Sequence, residues 1–299
     1  MRQYLKLLKS LCFFRLLFIY IFILSAVFTC PALAEQWWST SKIEDTRQVD
    51  KGLTYERVLY QKITNEPVRA HILNVTGVGS QYIFGVLGSY GSLFPASGFS
   101  KQSNAVAIVN GSFFSKKPTR ALGLVAAHNR ILYPPNAGEN IRGAVGFAPR
   151  KILFDWISKD DIEGNRFKSA KPDWNNCHAA LGAGPLLIKD GTPLLSTPLE
   201  GFNLEQTAPR TAIGQTKDGM VYLIVVDGRQ PAWSAGITLS ELGELFISLK
   251  AHNALNLDGG GSSTMIIQSE IINRPSDYAI PGQPGKERDV ANVISIFKK

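Results

Sequence analysis

Cysteine is scarce, with three in 299 residues. Cys12 and Cys30 fall in an N-terminal stretch that reads as removable, so Cys177 is left alone and no internal disulfide can form in what remains. A lone thiol in an exported chain is either a reactive nucleophile or a small buried hydrophobe. No partner base flanks Cys177 in sequence, so we read it as buried and inert. Histidine is scarce too, at four scattered residues. Without a histidine-rich cluster, the only ion that carboxylates here could hold is hard Mg²⁺ or Ca²⁺. There is no basic run with interleaved aromatics, which argues against nucleic acid as a partner. The glycine-rich stretches have neither Walker nor dinucleotide spacing, so no nucleotide is implied.

Long apolar runs are also lacking, apart from Leu16 to Phe28. That run is shorter than the ~20 residues a membrane-spanning helix needs. Arg2, Lys6, Lys9 and Arg15 precede it and Ala32-Leu33-Ala34 follows, the order of a cleavable signal peptide over residues 1–34. Periplasmic or secreted localisation follows, with the membrane involved only if the leader stays uncleaved as an anchor. Removing four cations lowers the formal net charge from +8 to +4, an ordinary value that permits attraction to acidic polymers.

Residues 35–51 are polar, carry an exposed-looking Trp37-Trp38 pair, and read as a linker or N-terminal arm. One domain spans residues 52–299, long enough to bury a core without staples. Strand signals dominate it: short β-branched or aromatic runs at Leu53–Tyr60, Val68–Val75, Tyr82–Leu87 and Ala105–Val109 are separated by Gly, Asn, Ser and Pro. Gly88–Ser103 reads as a loop and Ser158–Asn176 as a surface excursion. Arg210–Gly214 and Met220–Val226 flank Lys217-Asp218-Gly219 as a hairpin. Thr238-Leu239-Ser240-Glu241 is a capping box, followed by Leu239, Leu242, Leu245, Phe246 and Leu249 at helical spacing. Leu255–Leu257 is the next strand. The fold class is therefore α+β, a mixed, mostly β-sheet single domain with a βαβ unit over Met220–Leu257. Parallel strands in such a unit put Asp227 and Asp258 at C-terminal strand ends on one sheet edge, where ligands bind.

Asp258 opens the most informative stretch, Asp258-Gly259-Gly260-Gly261-Ser262-Ser263-Thr264. Consecutive glycines let a backbone approach a ligand closely and turn its N–H groups toward an anion. Asn110-Gly111 repeats the design, a buried strand handing a polar residue to a glycine, and makes Asn110 a candidate. His178 is a weaker one, since lone histidines are more often structural.

Together, Asn110-Gly111-Ser112-Phe113-Phe114, Gly182–Gly191, Pro209–Gly214, Val226-Asp227-Gly228-Arg229, Gly236–Leu239, Asn256–Thr264 and Glu287-Arg288 with Val290 resemble the phosphodiester glycosidase family. The resemblance runs from about Ala105 to Phe297. It implies an exported hydrolase cleaving sugar-1-phosphodiester linkages, with phosphate-linked carbohydrate, in exopolysaccharide or cell-envelope glycan metabolism, as partner. A phosphate monoester leaves as a stable anion, so one essential carboxylate and a cationic cradle can replace the usual carboxylate pair. On this reading Asp258 is nucleophile or general base, Asp227 a second carboxylate or sugar-hydroxyl holder, and Asn110 orients sugar or water. Arg210 and Arg288, with the backbone of Gly259, Gly260, Gly261 and Ser262, hold the phosphate, and Ser263 and Arg229 are further substrate-binding residues. The resemblance fixes no cofactor and leaves room for a divalent cation, Ca²⁺ or Mg²⁺. The alternatives are a phosphodiesterase with Ca²⁺ or Mg²⁺ on Asp227 and Asp258, and a non-catalytic glycan-binding protein of polysaccharide assembly.

Overall fold

A strand alternates the faces it presents, so one strand can serve two layers at once. In the computed structural model the Val221–Val226 strand does this, with Leu223 and Val225 on one side and Ile224 and Val226 on the other. The structure describes residues 36–89, 91–135, 143–168, 172–194, 203–278 and 285–299. The leader, with its signal-peptide and anchor readings, lies outside the described residues.

Three antiparallel sheets make up most of the chain. The large sheet runs in the order Trp38–Asp50, Leu53–Lys62, Pro67–Val75, Val221–Val226, Arg210–Thr216, Ala251–Asn256, Leu186–Lys189, Thr192–Pro193. A small sheet has Ala107–Asn110 near its centre, between Met265–Ile267 and Asn292–Lys298. The third is centred on Gly143–Ala148 and Ala179–Gly182. Apolar side chains from all three, among them Leu223, Val225, Leu255, Val109, Ile294, Phe147 and Leu181, share one core.

The other face of the large sheet is covered by the helix Leu239–Ser248, whose Leu239, Leu242, Leu245 and Phe246 pack on Ala212, Ile224 and Val226. Its start is as expected: Thr238 Oγ1 accepts from Glu241 N at 3.0 Å, and Glu241 Oε2 accepts from Thr238 N at 2.7 Å. The fold is thus mostly β, with few short helices.

Two expectations change. The stretch read as a linker is a 13-residue edge strand, Trp38–Asp50, and Trp37 and Trp38 are buried against Tyr60. Its outward residues are polar because an edge strand is held by pairing rather than by burying a face, so no alternation shows in the sequence. Gly88–Ser103 likewise contains a helix, Ala96–Lys101.

The strand–helix–strand segment also differs from a simple βαβ unit. Val221–Val226 and Ala251–Asn256 are each antiparallel to Arg210–Thr216, which lies between them. They therefore run parallel to each other without touching. Arg210 pairs with Val226 and Ala212 with Asn256, so both strands end beside the start of the strand that separates them.

Candidate active site

Asp258 follows directly on the large sheet, and Met265 begins a strand of the small one, so the turn between them is the chain's passage from sheet to sheet. Asn110 fastens that passage. It is fully buried; its Oδ1 accepts from Thr211 Oγ1 at 2.7 Å and from Thr264 N at 3.1 Å, and its Nδ2 donates to the Asp258 carbonyl at 2.6 Å. Asn110 therefore positions Asp258 and cannot present its amide to a sugar or a water, as the sequence had suggested. Asn292, absent from the sequence-derived candidates, works the same way. Its Oδ1 accepts from Ser112 N and its Nδ2 donates to Ser112 Oγ, both at 2.8 Å. A Cβ on Gly111 would lie 2.1 Å from that Oδ1, which explains the glycine.

The two aspartates are unlike. Asp227 is buried, with both carboxylate oxygens filled. Oδ2 accepts from Trp233 Nε1 at 2.7 Å and lies 3.1 Å from His71 Nε2; Oδ1 accepts from Arg274 N at 3.0 Å and Asn273 Nδ2 at 3.2 Å. Beyond His71, its Nδ1 lies 2.9 Å from the Tyr55 hydroxyl. Burial pushes the Tyr55 phenol up, so its hydroxyl keeps its proton beside Nδ1. Asp227 is thus a hub that joins a strand to two loops, not a carboxylate offered to a sugar. His71, Trp233 and Asn273 were not legible as its partners, being 156, 6 and 46 positions away. Asp258, in contrast, is half-buried, with Oδ1 accepting from Gly259 N at 2.9 Å. It faces Arg288 closely enough to help raise that guanidinium's pKa, after the larger effect of Asp277.

The glycine turn does not act as a nest of free N–H groups. Those of Gly259 and Gly260 go to Asp258 Oδ1 and the Pro209 carbonyl, and those of Ser262 and Ser263 to the carbonyls of Gly259 and Gly260. The hydroxyls of Ser262 and Ser263 are buried beneath the turn. What the glycines provide is clearance. A Cβ on Gly260 would lie 3.0 Å from the Arg229 guanidinium, and one on Gly261 would lie 2.6 Å from that of Arg288. Gly260 also has φ +62°, a left-handed conformation that favours glycine. Arg229 and Arg288 thus lie against consecutive glycines next to Asp258.

Asp277 holds Arg288 with two contacts, Nε to Oδ2 at 3.2 Å and Nη2 to Oδ1 at 2.5 Å. That pair holds the Asp277 carboxyl below its usual range. Arg210 lies behind, donating to the carbonyls of Ile237 and Gln206. Its pKa is pushed down to about 10, first by burial and then by neighbouring Arg229, with Glu241 opposing. Arg210 is a buried cation facing another cation, an arrangement that an anion at the site would relieve.

His178 and Cys177 take no part in this geometry. His178 Nε2 donates to the Phe84 carbonyl at 2.7 Å, and the Cys177 thiol is buried with its pKa pushed up to about 12. A divalent ion on Asp227 and Asp258 fits poorly, because every lone-pair direction of buried Asp227 already meets an N–H donor. Among the described residues no three His, Cys, Asp or Glu side chains cluster as ligands.

The antiparallel scaffold thus brings half-buried Asp258 close to two guanidiniums that lie against Gly260 and Gly261. The chain belongs to the phosphodiester glycosidase family, whose model matches residues 103–297. It is 39% identical over 113 residues to the SPbeta prophage-derived uncharacterized protein YomE of Bacillus subtilis, covering 38% of this chain and 16% of that one. It is 34% identical over 214 residues to the bovine N-acetylglucosamine-1-phosphodiester alpha-N-acetylglucosaminidase, covering 66% of this chain and 38% of that one. The chain therefore spans well under half the length of these relatives. The solved catalytic domain of the zebrafish enzyme of that name, auto-inhibited by its pro-peptide, shares the fold, with TM-score 0.68, 19% identity and coverage of 87% of this chain and 88% of that one.

Proposed function

We propose that the protein is an exported hydrolase that cleaves sugar-1-phosphodiesters at the anomeric carbon. The observation that carries this reading is the pair of guanidiniums, Arg229 over Gly260 and Arg288 over Gly261, set beside half-buried Asp258. The arginines hold the phosphate, and their charge is matched to the phosphate monoester as it departs. Asp258 attacks the anomeric carbon or activates the water that does. The C–O bond breaks, the electron pair leaves with the phosphate, and water's oxygen ends on the sugar. Asp227 and Asn110 position this machinery without touching substrate. N-acetylglucosamine, named in the bovine relative, is the first glycosyl group to test, and exopolysaccharide or cell-envelope glycan is the context that an export leader supports.

Turnover of a glycosyl phosphodiester in ¹⁸O-labelled water tests the reading. Label in the released sugar is the expected result. Label in the phosphate means attack at phosphorus and overturns it. Export is tested by mass spectrometry of the processed chain, expected to begin at Glu35; an intact Met1 start in the membrane fraction would make the leader an anchor.

A further inference from the structure

Trp233 carries two arginines. The Cζ of Arg69 lies 3.8 Å from its ring centroid and that of Arg274 lies 3.6 Å away. The two cations have different company. Arg69 is neutralised by Glu44, with Nε and Nη2 each 2.9 Å from a carboxylate oxygen, and it also donates to the Trp233 carbonyl. Among the described residues no carboxylate pairs with Arg274, and its side chain is exposed.

Arg274 is nonetheless held firmly. Its N–H donates to Asp227 Oδ1 at 3.0 Å, its carbonyl accepts from Gln230 Nε2 at 3.1 Å, and its guanidinium carbon lies 3.6 Å from the ring centroid of an indole whose own N–H is fixed by Asp227. Stacking leaves a guanidinium's in-plane N–H donors pointing outward while removing most of its freedom, which is how arginine is prepared for an oxyanion. Gln230, which braces it, is the residue next to Arg229.

Resting on the function proposed above, we infer that Arg274 on Trp233 is a second anion position, and that the substrate class is a chain of phosphate-linked sugars rather than a single glycosyl phosphate. In such a chain every sugar has a phosphate on both sides. A second phosphate therefore lies one repeat from the cleaved link in either direction, and the Arg229–Arg288 and Arg274 positions hold consecutive phosphates. The modest net charge left after leader removal makes this a local concentration of cations rather than a general basic surface.

The test is binding, so that it does not depend on turnover. Asp258→Asn is titrated by calorimetry with two probes, a glycosyl methyl phosphodiester bearing one phosphate and a phosphate-linked disaccharide bearing two. The second probe is expected to bind roughly tenfold tighter, the increment of one charge-assisted hydrogen-bonding position. In Asp258→Asn combined with Arg274→Gln, that advantage is expected to vanish while one-phosphate binding stays within about twofold, and Arg274→Lys is expected to restore part of it. Equal affinity for the two probes, or an Arg274→Gln loss shared equally by both, overturns the second position while leaving the cleavage site standing. Failure to bind either probe overturns both readings together.

Discussion

Two aspartates at neighbouring strand ends look equivalent in sequence, and their surroundings make them opposite. Asp258 is half-buried, takes the Gly259 N–H on Oδ1 and lies within electrostatic reach of Arg288, so Asp258→Asn is expected to fold normally and lose turnover. Asp227 meets four donors in a buried site, and Asp227→Ala leaves them unpaired at a cost of about 3–5 kcal/mol, read as a lower urea midpoint with two-state slope unchanged. Equal stability of the two variants would remove the hub role. An acid closing an apolar run made both residues candidates in the sequence. Which one is buried among donors was not legible, because the distinction is made by His71 and Asn273, far away in sequence. Asp277 adds a pH dependence. Arg288 holds its carboxyl below the usual range, so the pair's contribution is complete above the unfolded value, about pH 4, and is lost as pH falls through the lower folded value. Thermal melts stepped downward from neutral pH should show this acid limb in the native protein and a flatter one in Asp277→Asn. Identical limbs would mean that the pair contributes nothing measurable.

At the scale of elements, the turn after Asp258 shows how the same glycines can be read two ways. A run of three suggests N–H groups gathered for an anion, yet those of Gly259 and Gly260 are taken by Asp258 and by the Pro209 carbonyl. No local pattern announces where that carbonyl lies. Arg229 and Arg288 were among the candidates the sequence offered; their seating on Gly260 and Gly261 was not legible there. Gly261→Ala places a methyl 2.6 Å from both the Arg288 guanidinium and Asp277 Oδ1 and must displace one of them. We expect this variant, like Arg288→Ala, to lose roughly 10²–10³ in kcat/KM on a glycosyl phosphodiester, the scale of one preorganised donor, and much less on a neutral aryl glycoside. Parallel losses on the two substrates would assign Arg288 a structural role instead. The helix Leu239–Ser248 lies at the other extreme. Its cap and apolar stripe were readable residue by residue, because both signals are local.

For the whole molecule, the first strand connects the fold to the site. Trp38–Asp50 was opaque in sequence because it has little apolar alternation, and its place is set by pairing with Leu53–Lys62 and by the two tryptophans at its start. Trp37 donates its Nε1–H to the Glu241 carbonyl at 2.9 Å in the helix's first turn, where Lys62 also pairs with Glu241 at 2.7 Å. Further along, Glu44 takes Arg69 at 2.9 Å and Arg57 at 3.1 Å, and Arg69 in turn lies on Trp233, whose N–H is fixed by Asp227. One edge strand thus supports the helix at one end and the Asp227 hub at the other. These roles should separate. Trp38→Ala removes a buried aromatic and should cost about 3–5 kcal/mol of stability with kinetic constants unchanged in the folded fraction. Glu44→Gln should cost little stability, because the pair is partly exposed, but it releases Arg69 from Trp233 and loosens the loop that carries Arg229. We expect it to raise KM several-fold on a glycosyl phosphodiester with kcat nearly unchanged. A Glu44→Gln protein with native KM would show that the hub holds its loop without the strand.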